Sequence, residues 1–349
     1  MQWKMFCAAA LLAMGLSVFP PAASAQTLAG PLKVCATVPE LGSLAKEIGG
    51  DQVAVTVFAR GQENPHFVDA KPSFIKDLSE ADLYLQLGMD MELGWAPVLL
   101  KNAANGKVSP GARGFLDASA AIAPMEVPTG VLDRSMGDVH PQGNPHYLTD
   151  PLNGLKVAAL IRDRLSELRP SQKEAFQRRY EAFRQKMGVA MVGELLARKY
   201  SFEKLATLYE HGKLQDFLRQ QGDERSLGGW LGTLQPYYGV KAVADHNVWP
   251  YFGRRFGIEV VGFLEPKPGV SPTTRHLNDL IKKMQAEQVK LVLATPFFNR
   301  QQIQFVANNS GAKVVDMAHQ VGARSGTGSY LSMIDYNVKQ LAGALKTGG

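Results

Sequence analysis

The first half of the chain alternates between short apolar runs and segments with helical spacing. Short apolar runs bounded by Gly or Pro are typical of buried strands, whereas apolar residues three or four positions apart are typical of helices. Alternation of the two predicts βαβ units and a parallel sheet. The predicted elements are strand Leu32–Val38, helix Leu41–Ile48 ended by two glycines, strand Val53–Phe58, helix Pro72–Leu78 and strand Leu83–Leu87.

The second half of the chain repeats this alternation, so we predict an α/β fold with a parallel sheet in each half. The predicted strands are Val240–Ala244, Glu259–Leu264, Lys290–Ala294 and Lys313–Asp316. The predicted helices are Trp249–Phe256, Thr273–Ala286, Gln301–Asn309 and Tyr330–Leu345.

The region between the two halves is less regular. Residues 106–143 are rich in Gly, Pro and Ala, which predicts loops. Asp150 followed by Pro151 is typical of an N-cap and a first helical residue, and predicts a helix to about Leu168. Residues 200–229 are polar and partly helical, fit neither pattern, and are interpreted as an insertion.

A long helix is predicted between residues 170 and 199. Ser171 and Glu174 have the spacing of a capping box, which marks a helix start. A helix that continues to Lys199 would span about 43 Å, which suggests a strut between two lobes. Its apolar residues, spaced at helical steps on one face, are Phe176, Tyr180, Phe183 and Met187.

The N-terminus has the pattern of a secretory signal peptide. Lys4 precedes an uncharged apolar stretch over residues 5–19, and residues 23–25 form a small-x-small cleavage pattern. Cleavage would remove residues 1–25 and leave Gln26 first. A lipoprotein would need Cys directly after the cut, so we expect a soluble periplasmic protein. The alternative is a membrane anchor, for which the stretch is short.

Composition excludes several classes. The chain has 349 residues, of which 45% are hydrophobic and 20% charged, as in ordinary globular proteins. The formal net charge is +6, and the basic residues are scattered, which argues against nucleic-acid binding. Beyond the leader no apolar run is long enough to span a bilayer. Cys35, the one cysteine after the leader, lies in a predicted strand, where a packing role is expected.

Histidines carry the candidate chemistry. His66 and His146 each follow Asn-Pro, in which proline fixes its own φ and restricts the residue before it. His246 follows Asp245 at the end of a predicted strand, where ligands bind in open α/β sheets. Three neutral imidazoles are suitable ligands for a divalent ion such as Zn²⁺. His211 and His276 lie on charged helical segments and are expected to be solvated, whereas His140 is adjacent to the second turn.

Three ordered signatures carry a family resemblance across roughly residues 31–345, apart from the insertion. Together they resemble the metal-binding substrate-binding proteins of ABC transporters, the cluster A-I or ZnuA/TroA-like family. The signatures are residues 63–67 (ENPHF) with 71–73 (KPS), residues 137–147 (GDVHPQGNPHY) followed by Asp150-Pro151, and residues 245–252 (DHNVWPYF) with 255–257 (RFG) and Glu265-Pro266.

The resemblance implies two α/β lobes joined by a long rigid helix, with the metal between them. His66 and His146 match the two ligands of the N-terminal lobe, and His246 matches the first ligand of the C-terminal lobe. Histidine at the third position is similar to zinc members, since manganese members usually carry Glu there. The fourth ligand stays open between alternatives: Asp316, His319, Glu63 or a water molecule.

The predicted domains are a signal peptide (1–25), an N-terminal lobe (26–169), a linking helix (170–199) and a C-terminal lobe (200–349) that contains the insertion. The expected protein is not an enzyme. It would act as a monomer that captures Zn²⁺ and delivers it to a membrane permease.

Three alternatives remain from the sequence. One is a manganese or iron(II) receptor of the same family. Another is a secreted zinc hydrolase, although the chain contains neither His-Glu-x-x-His nor Gly-x-Ser-x-Gly. The third is a receptor for a metal chelate such as a siderophore or haem, which would need a wider cleft with Arg or Tyr contacts.

Overall fold

The computed structural model describes residues 30–130 and 140–346. The predicted leader, residues 1–25, lies outside the described residues. Within the described ranges, no helix combines the length and the apolar character needed to cross a membrane. The chain from Pro31 onward forms one compact unit.

In the described part of the chain, eight strands form two four-stranded sheets in which every neighbouring pair is parallel. The strand orders are β2-β1-β3-β4 and β6-β5-β7-β8, so the two sheets share one topology. The strands are β1 (Leu32–Ala36), β2 (Val53–Val57), β3 (Leu83–Gln86), β4 (Phe115–Asp117), β5 (Val240–Ala244), β6 (Ile258–Phe263), β7 (Leu291–Ala294) and β8 (Lys313–Asp316).

Helices connect the strands and flank both sheets. They are α1 (Pro39–Gly49), α2 (Pro72–Glu80), α3 (Ala96–Ala103), α4 (Pro151–Leu168), α5 (Lys173–Val192), α6 (Glu194–Lys199), α7 (Phe202–Glu210), α8 (Leu214–Gln220), α9 (Gly229–Leu234), α10 (Pro250–Phe256), α11 (Thr274–Ala286), α12 (Arg300–Ser310) and α13 (Tyr330–Lys346). The predicted α/β architecture with two parallel sheets is confirmed.

Both sheets present one face to a shared apolar core. Successive side chains of a strand point to opposite faces. Leu32 and Val34 of β1 therefore lie in the shared core, whereas Cys35 packs in a smaller cluster on the other face. In β5, Ala242 faces the shared core and Val243 faces away from it. The shared core thus joins the two halves.

Cys35 is buried, as predicted for a packing residue, and only 2% of its surface is exposed. Burial raises the pKa of its thiol to about 12. The thiolate is therefore absent at neutral pH, which makes this cysteine chemically inert.

The predicted long helix is interrupted. Helix α5 ends at Val192, and Gly193 adopts a φ of 83° before α6 begins at Glu194. The α5 rod of 20 residues spans about 30 Å, not the length expected for a helix to Lys199. A Cβ on Gly193 would lie 3.0 Å from the Cα of Gly228, so this break also allows two backbone segments to approach closely.

The predicted capping box at Ser171 and Glu174 is wrong. Residues Pro170–Gln172 form a short 3-10 turn, and Gln172 takes the N-cap position of α5 without a side-chain hydrogen bond. The predicted apolar face is nevertheless correct. Its aromatic residues Phe176 and Phe183 are buried in the shared core.

Besides α9, two short elements were not predicted. Strand β4 has three residues and forms the edge of the first sheet within the region expected to be loops. Helix α3 follows β3 and packs on the outer face of that sheet. The polar segment 200–229 contains α7 and α8, in agreement with its partly helical pattern.

A buried ion pair connects the two halves. Asp150 caps α4 by accepting a hydrogen bond of 2.9 Å from the backbone N–H of Leu152, as the sequence predicted. Its carboxylate also accepts two hydrogen bonds from Arg255 on α10, at 2.7 and 2.8 Å. Asp150 has no exposed surface and Arg255 only 4%. This bidentate pair fixes α10 against the start of α4.

Replacement of Asp150 by Ala should destabilise the protein strongly, because it leaves the Arg255 guanidinium buried without its partner. We expect the free energy of unfolding to fall by about 3–5 kcal/mol in urea denaturation. Arg254→Ala, which removes a half-exposed neighbour whose Nη2 lies 3.6 Å from the same carboxylate, should cost less than about 1 kcal/mol. Equal losses in the two variants would show that the buried pair is not a principal interlobe contact.

Candidate metal centre

The first histidine is positioned by a turn whose sequence explains its geometry. The side-chain oxygen of Asn64 accepts a hydrogen bond of 3.1 Å from the backbone N–H of His66. Pro65 fixes its own φ within a turn that is closed by a hydrogen bond of 3.0 Å from the backbone N–H of Phe67 to the carbonyl of Asn64. The carbonyl of Pro65 accepts a hydrogen bond of 3.2 Å from the indole N–H of Trp95. His66 is consequently held with only 9% of its surface exposed.

The second histidine lies in a turn of the same design. The side-chain oxygen of Asn144 accepts a hydrogen bond of 2.9 Å from the backbone N–H of His146. Its amide group also donates to the carbonyl of Asn247 at 2.9 Å, and the hydroxyl of Tyr251 donates to the Asn144 carbonyl at 2.9 Å. Both partners belong to the second half, so this turn is bound across the interface between the sheets.

The third histidine follows β5. The neighbours of β5 in the sheet are β6 on one side and β7 on the other, so the strand order reverses there. This switch point is the usual ligand position in open α/β sheets. Asp245 fixes the backbone there: one carboxylate oxygen accepts from the N–H of His246 at 2.7 Å, and the other accepts from the N–H and hydroxyl of Thr295 at 2.5 and 2.8 Å. His246 is 3% exposed.

The structure brings the three predicted histidines together. The ring centroids of His66, His146 and His246 are 5.3, 5.5 and 5.5 Å apart, an almost equilateral triangle. One nitrogen from each ring lies within 4.8 Å of the others. The Nε2 atoms of His66 and His146 are 3.3 Å apart. Two nitrogens bound tetrahedrally to one Zn²⁺ are separated by about 3.3–3.4 Å, which matches this distance.

The electrostatics of the cluster favour neutral imidazoles. Burial, reinforced by the neighbouring histidines, lowers the pKa of His66 and of His146 well below the usual value. The Nδ1 of His246 lies 2.6 Å from a carboxylate oxygen of Glu265. Because a carboxylate accepts hydrogen bonds, Nδ1 of His246 carries a proton, and Nε2 is the ring nitrogen available to a metal ion. The three rings can therefore offer lone pairs to one cation.

The side-chain candidates for a fourth ligand lie outside the cluster, although the Nδ1 of His319 is buried without a hydrogen-bond partner. Among residues 30–130 and 140–346, the cluster of three or more potential ligand side chains contains the three histidines alone. Asp316 is paired with Arg300 and Arg324. His319 donates its Nε2–H to the carbonyl of Glu63 at 3.0 Å. The Glu63 carboxylate accepts a hydrogen bond of 3.0 Å from the backbone N–H of Arg60.

The remaining histidines differ in their surroundings. His140 stacks on His66, with ring centroids 5.0 Å apart, and lines the cleft beside the cluster. His211 is exposed, as predicted. The prediction for His276 is wrong, because its ring is half-buried and its Nε2 donates to the carbonyl of Phe263 at 3.0 Å.

Two carboxylates at the site had no role assigned from the sequence. Glu265 was part of the third signature, yet no spacing rule connects it with the ring of His246. Glu126 lies in the region predicted as loops and accepts hydrogen bonds from the side chains of Asn144 and Asn247 at 3.0 and 2.8 Å. Glu126 thus bridges the segments that carry His146 and His246, at the mouth of a cleft of about 320 Å³.

Comparison with known proteins identifies the family. The sequence profile described as "ZnuA: Zinc-uptake complex component A periplasmic" matches residues 34–190 and 232–344. The chain belongs to this family. Its members are metal-binding solute-binding proteins of ABC transporters, not enzymes, and the resemblance inferred from the three signatures is confirmed.

Curated relatives of the family bind different metals. The manganese-binding lipoprotein MntA of Halalkalibacterium halodurans is 23% identical over 320 residues, which cover 90% of this chain and 88% of the relative. The high-affinity zinc uptake system protein ZnuA of Yersinia pestis is 21% identical over 313 residues, which cover 83% and 85%. Family membership alone therefore does not decide the metal.

Solved structures confirm the fold class. A crystal structure of ZnuA has a TM-score of 0.66 at 22% identity and covers 90% of this chain and 99% of that chain. FpvC from Pseudomonas aeruginosa in complex with Mn²⁺ has a TM-score of 0.66 at 19% identity and covers 91% and 99%.

A buried carboxyl group lies behind the cluster. Glu40, in the first turn of α1, is 6% exposed and accepts a backbone hydrogen bond from Val321 of the second half. Its Oε2 is buried without a hydrogen-bond partner, and the residue borders a small cavity that His146 also lines. Burial raises the pKa of Glu40 to about 8. The group is therefore mostly protonated at neutral pH.

Replacement of Glu40 by Gln should stabilise the protein increasingly as pH rises from about 5 to 8. The folded state binds the Glu40 proton more tightly than the unfolded state, so the wild type loses stability across that range and the variant does not. The difference in the free energy of unfolding should grow by up to about 1.4 kcal/mol per pH unit.

Urea denaturation of both proteins at pH 5 and pH 8 measures this difference. Glu47→Gln, at a solvent-accessible position of α1, is the matched control and should show little growth with pH. A difference for Glu40→Gln that is constant with pH would mean that the Glu40 carboxyl is ionised in the folded protein.

Proposed function

We propose that this protein is an extracytoplasmic receptor that captures Zn²⁺ through His66, His146 and His246 and delivers it to the permease of an ABC transporter. The observation that carries the proposal is the convergence of three buried imidazoles from both halves of the chain. The family supplies the transport context, and the donor atoms supply the argument for the metal.

The donor set favours Zn²⁺ over Mn²⁺. Imidazole nitrogen is a good ligand for Zn²⁺, whereas Mn²⁺ prefers carboxylate, carbonyl and water oxygens. The described cluster contains three histidines and no carboxylate. Because Asp316, His319 and Glu63 do not belong to the described cluster, we propose that a water molecule completes a tetrahedral site.

Ligands from both halves would couple metal occupancy to the arrangement of the halves. His66 and His146 lie in segments of the first half, and His246 follows β5 of the second. An ion held by all three stabilises the arrangement in which they converge. A permease that recognises this arrangement would distinguish loaded from empty receptor, with no chemical step at the site.

The cellular location follows from the leader. We propose that residues 1–25 are cleaved during export and that the mature chain, beginning at Gln26, is free in the periplasm. Several named relatives are lipoproteins, which are anchored through a lipid. Edman sequencing of exported protein tests the proposed cleavage site.

Single replacements of His66, His146 or His246 by Ala should each weaken Zn²⁺ binding by at least about 100-fold, because each removes one of three protein ligands. Isothermal titration calorimetry on metal-stripped protein measures the affinities. His211→Ala, at an exposed position, is the control and should bind as the wild type does. Unchanged affinity in all three variants would exclude the site.

The same titrations decide the metal. Competition between Zn²⁺ and Mn²⁺ for stripped wild-type protein should favour Zn²⁺ by several orders of magnitude, because all three protein ligands are imidazole nitrogens. Preferential retention of Mn²⁺ would keep the histidine site and overturn the assignment of the ion.

Glu265→Gln should weaken Zn²⁺ binding by about 10- to 100-fold, because the carboxylate that orients His246 and increases its basicity is lost while the ligand itself stays. Glu259→Gln, on an exposed position of β6, is the matched control and should have no effect. Wild-type affinity in Glu265→Gln would show that His246 needs no orienting carboxylate.

A further inference from the structure

A second pocket lies apart from the histidine cluster. Its volume is about 800 Å³, within the range of small-molecule sites. One side is formed by α4 and α10, and the other by α7, α8 and α9. Residues 191–231, which contain α7, α8 and the start of α9, fall in the gap of the family profile. A segment outside the family match therefore forms one side of the pocket.

One wall of the pocket is apolar. Leu231 and Leu234 of α9 line it together with Leu227 and Phe256. Tyr238 lies at the edge of the pocket, and 72% of its surface is exposed. Its ring packs against Gly257, so closely that a Cβ added to Gly257 would lie 2.1 Å from Cδ2 of Tyr238. An apolar wall with an exposed aromatic residue beside it suits a ligand that has an apolar or aromatic body.

The other wall carries an excess of positive charge. Lys156, Arg254 and Arg255 line the pocket, and the carboxylates that neutralise them are Asp150 and Glu210. The Asp150 carboxylate binds the buried side chain of Arg255. The cations left to the pocket are therefore Lys156 and the half-exposed Arg254, and Glu210 is the carboxylate on the pocket lining. Three cations against two carboxylates leave one positive charge for a ligand to neutralise.

We propose that this pocket binds a small amphipathic organic anion. Its apolar or aromatic body would lie against Leu231 and Phe256, and a single acidic group would lie near Lys156 and Arg254. The pocket shares no lining residue with the cleft at the histidine cluster, so the proposal goes beyond metal capture and does not depend on it.

The test uses a fluorescent probe of the proposed chemistry, 1-anilinonaphthalene-8-sulfonate, titrated into the full mature protein. One saturable site per chain is expected, with enhanced, blue-shifted emission. The uncharged analogue N-phenyl-1-naphthylamine should bind the same pocket without the contribution of charge. Retention of sulfonate binding in His66→Ala shows that the pocket and the histidine cluster are separate sites.

Two pairs of variants locate the site. Gln215→Trp, on the pocket side of α8, should fill the cavity and abolish binding of both probes, whereas Gln220→Trp on the same helix should not. Lys156→Gln should weaken sulfonate binding about twofold to fivefold and leave the uncharged probe unaffected. Lys282→Gln, an exposed lysine of α11, should change neither.

Three results would overturn the proposal. They are the absence of a saturable sulfonate site, equal binding in Gln215→Trp and Gln220→Trp, and equal loss of both probes in Lys156→Gln. The first two would show that the pocket takes no such ligand, and the third that it does not select for an anion.

Discussion

Metal capture as proposed depends on the close approach of three imidazoles whose surfaces are largely buried. Rings that are buried this close together have little access to water, so holding them there without a cation costs free energy. A divalent cation would convert their lone pairs into ligands. On the proposed function, the cluster is therefore unfavourable when empty and favourable when loaded, which is the thermodynamic condition for tight capture.

The surrounding structure offsets this cost through contacts, each of which restrains the backbone beside one of the three histidines. Asn64 and Asn144 fix the two turns by the same local hydrogen bond, and Asp245 fixes the end of β5. The Asp150–Arg255 pair then joins the helices that begin just after His146 and His246. Local turns set the direction of each ring, and the interlobe pair sets the distance between the halves.

Much of this was predictable because the signals are local. The repeated Asn-Pro-His tripeptide and the position of His246 after a strand indicated the three ligand candidates, and apolar runs located nearly every strand. The missed features depend on tertiary contacts. Gly188 lies inside α5 and Gly193 ends it, although a helical pattern does not distinguish them. Likewise, the pairing of Asp316 with Arg324 and of His319 with Glu63 cannot be read from spacing.

Anomalous diffraction at the zinc absorption edge from Zn²⁺-loaded crystals would locate the bound ion. We expect one strong peak about 2.0–2.1 Å from a ring nitrogen of each of His66, His146 and His246. A peak bound by fewer than these three rings, or located away from them, would contradict it.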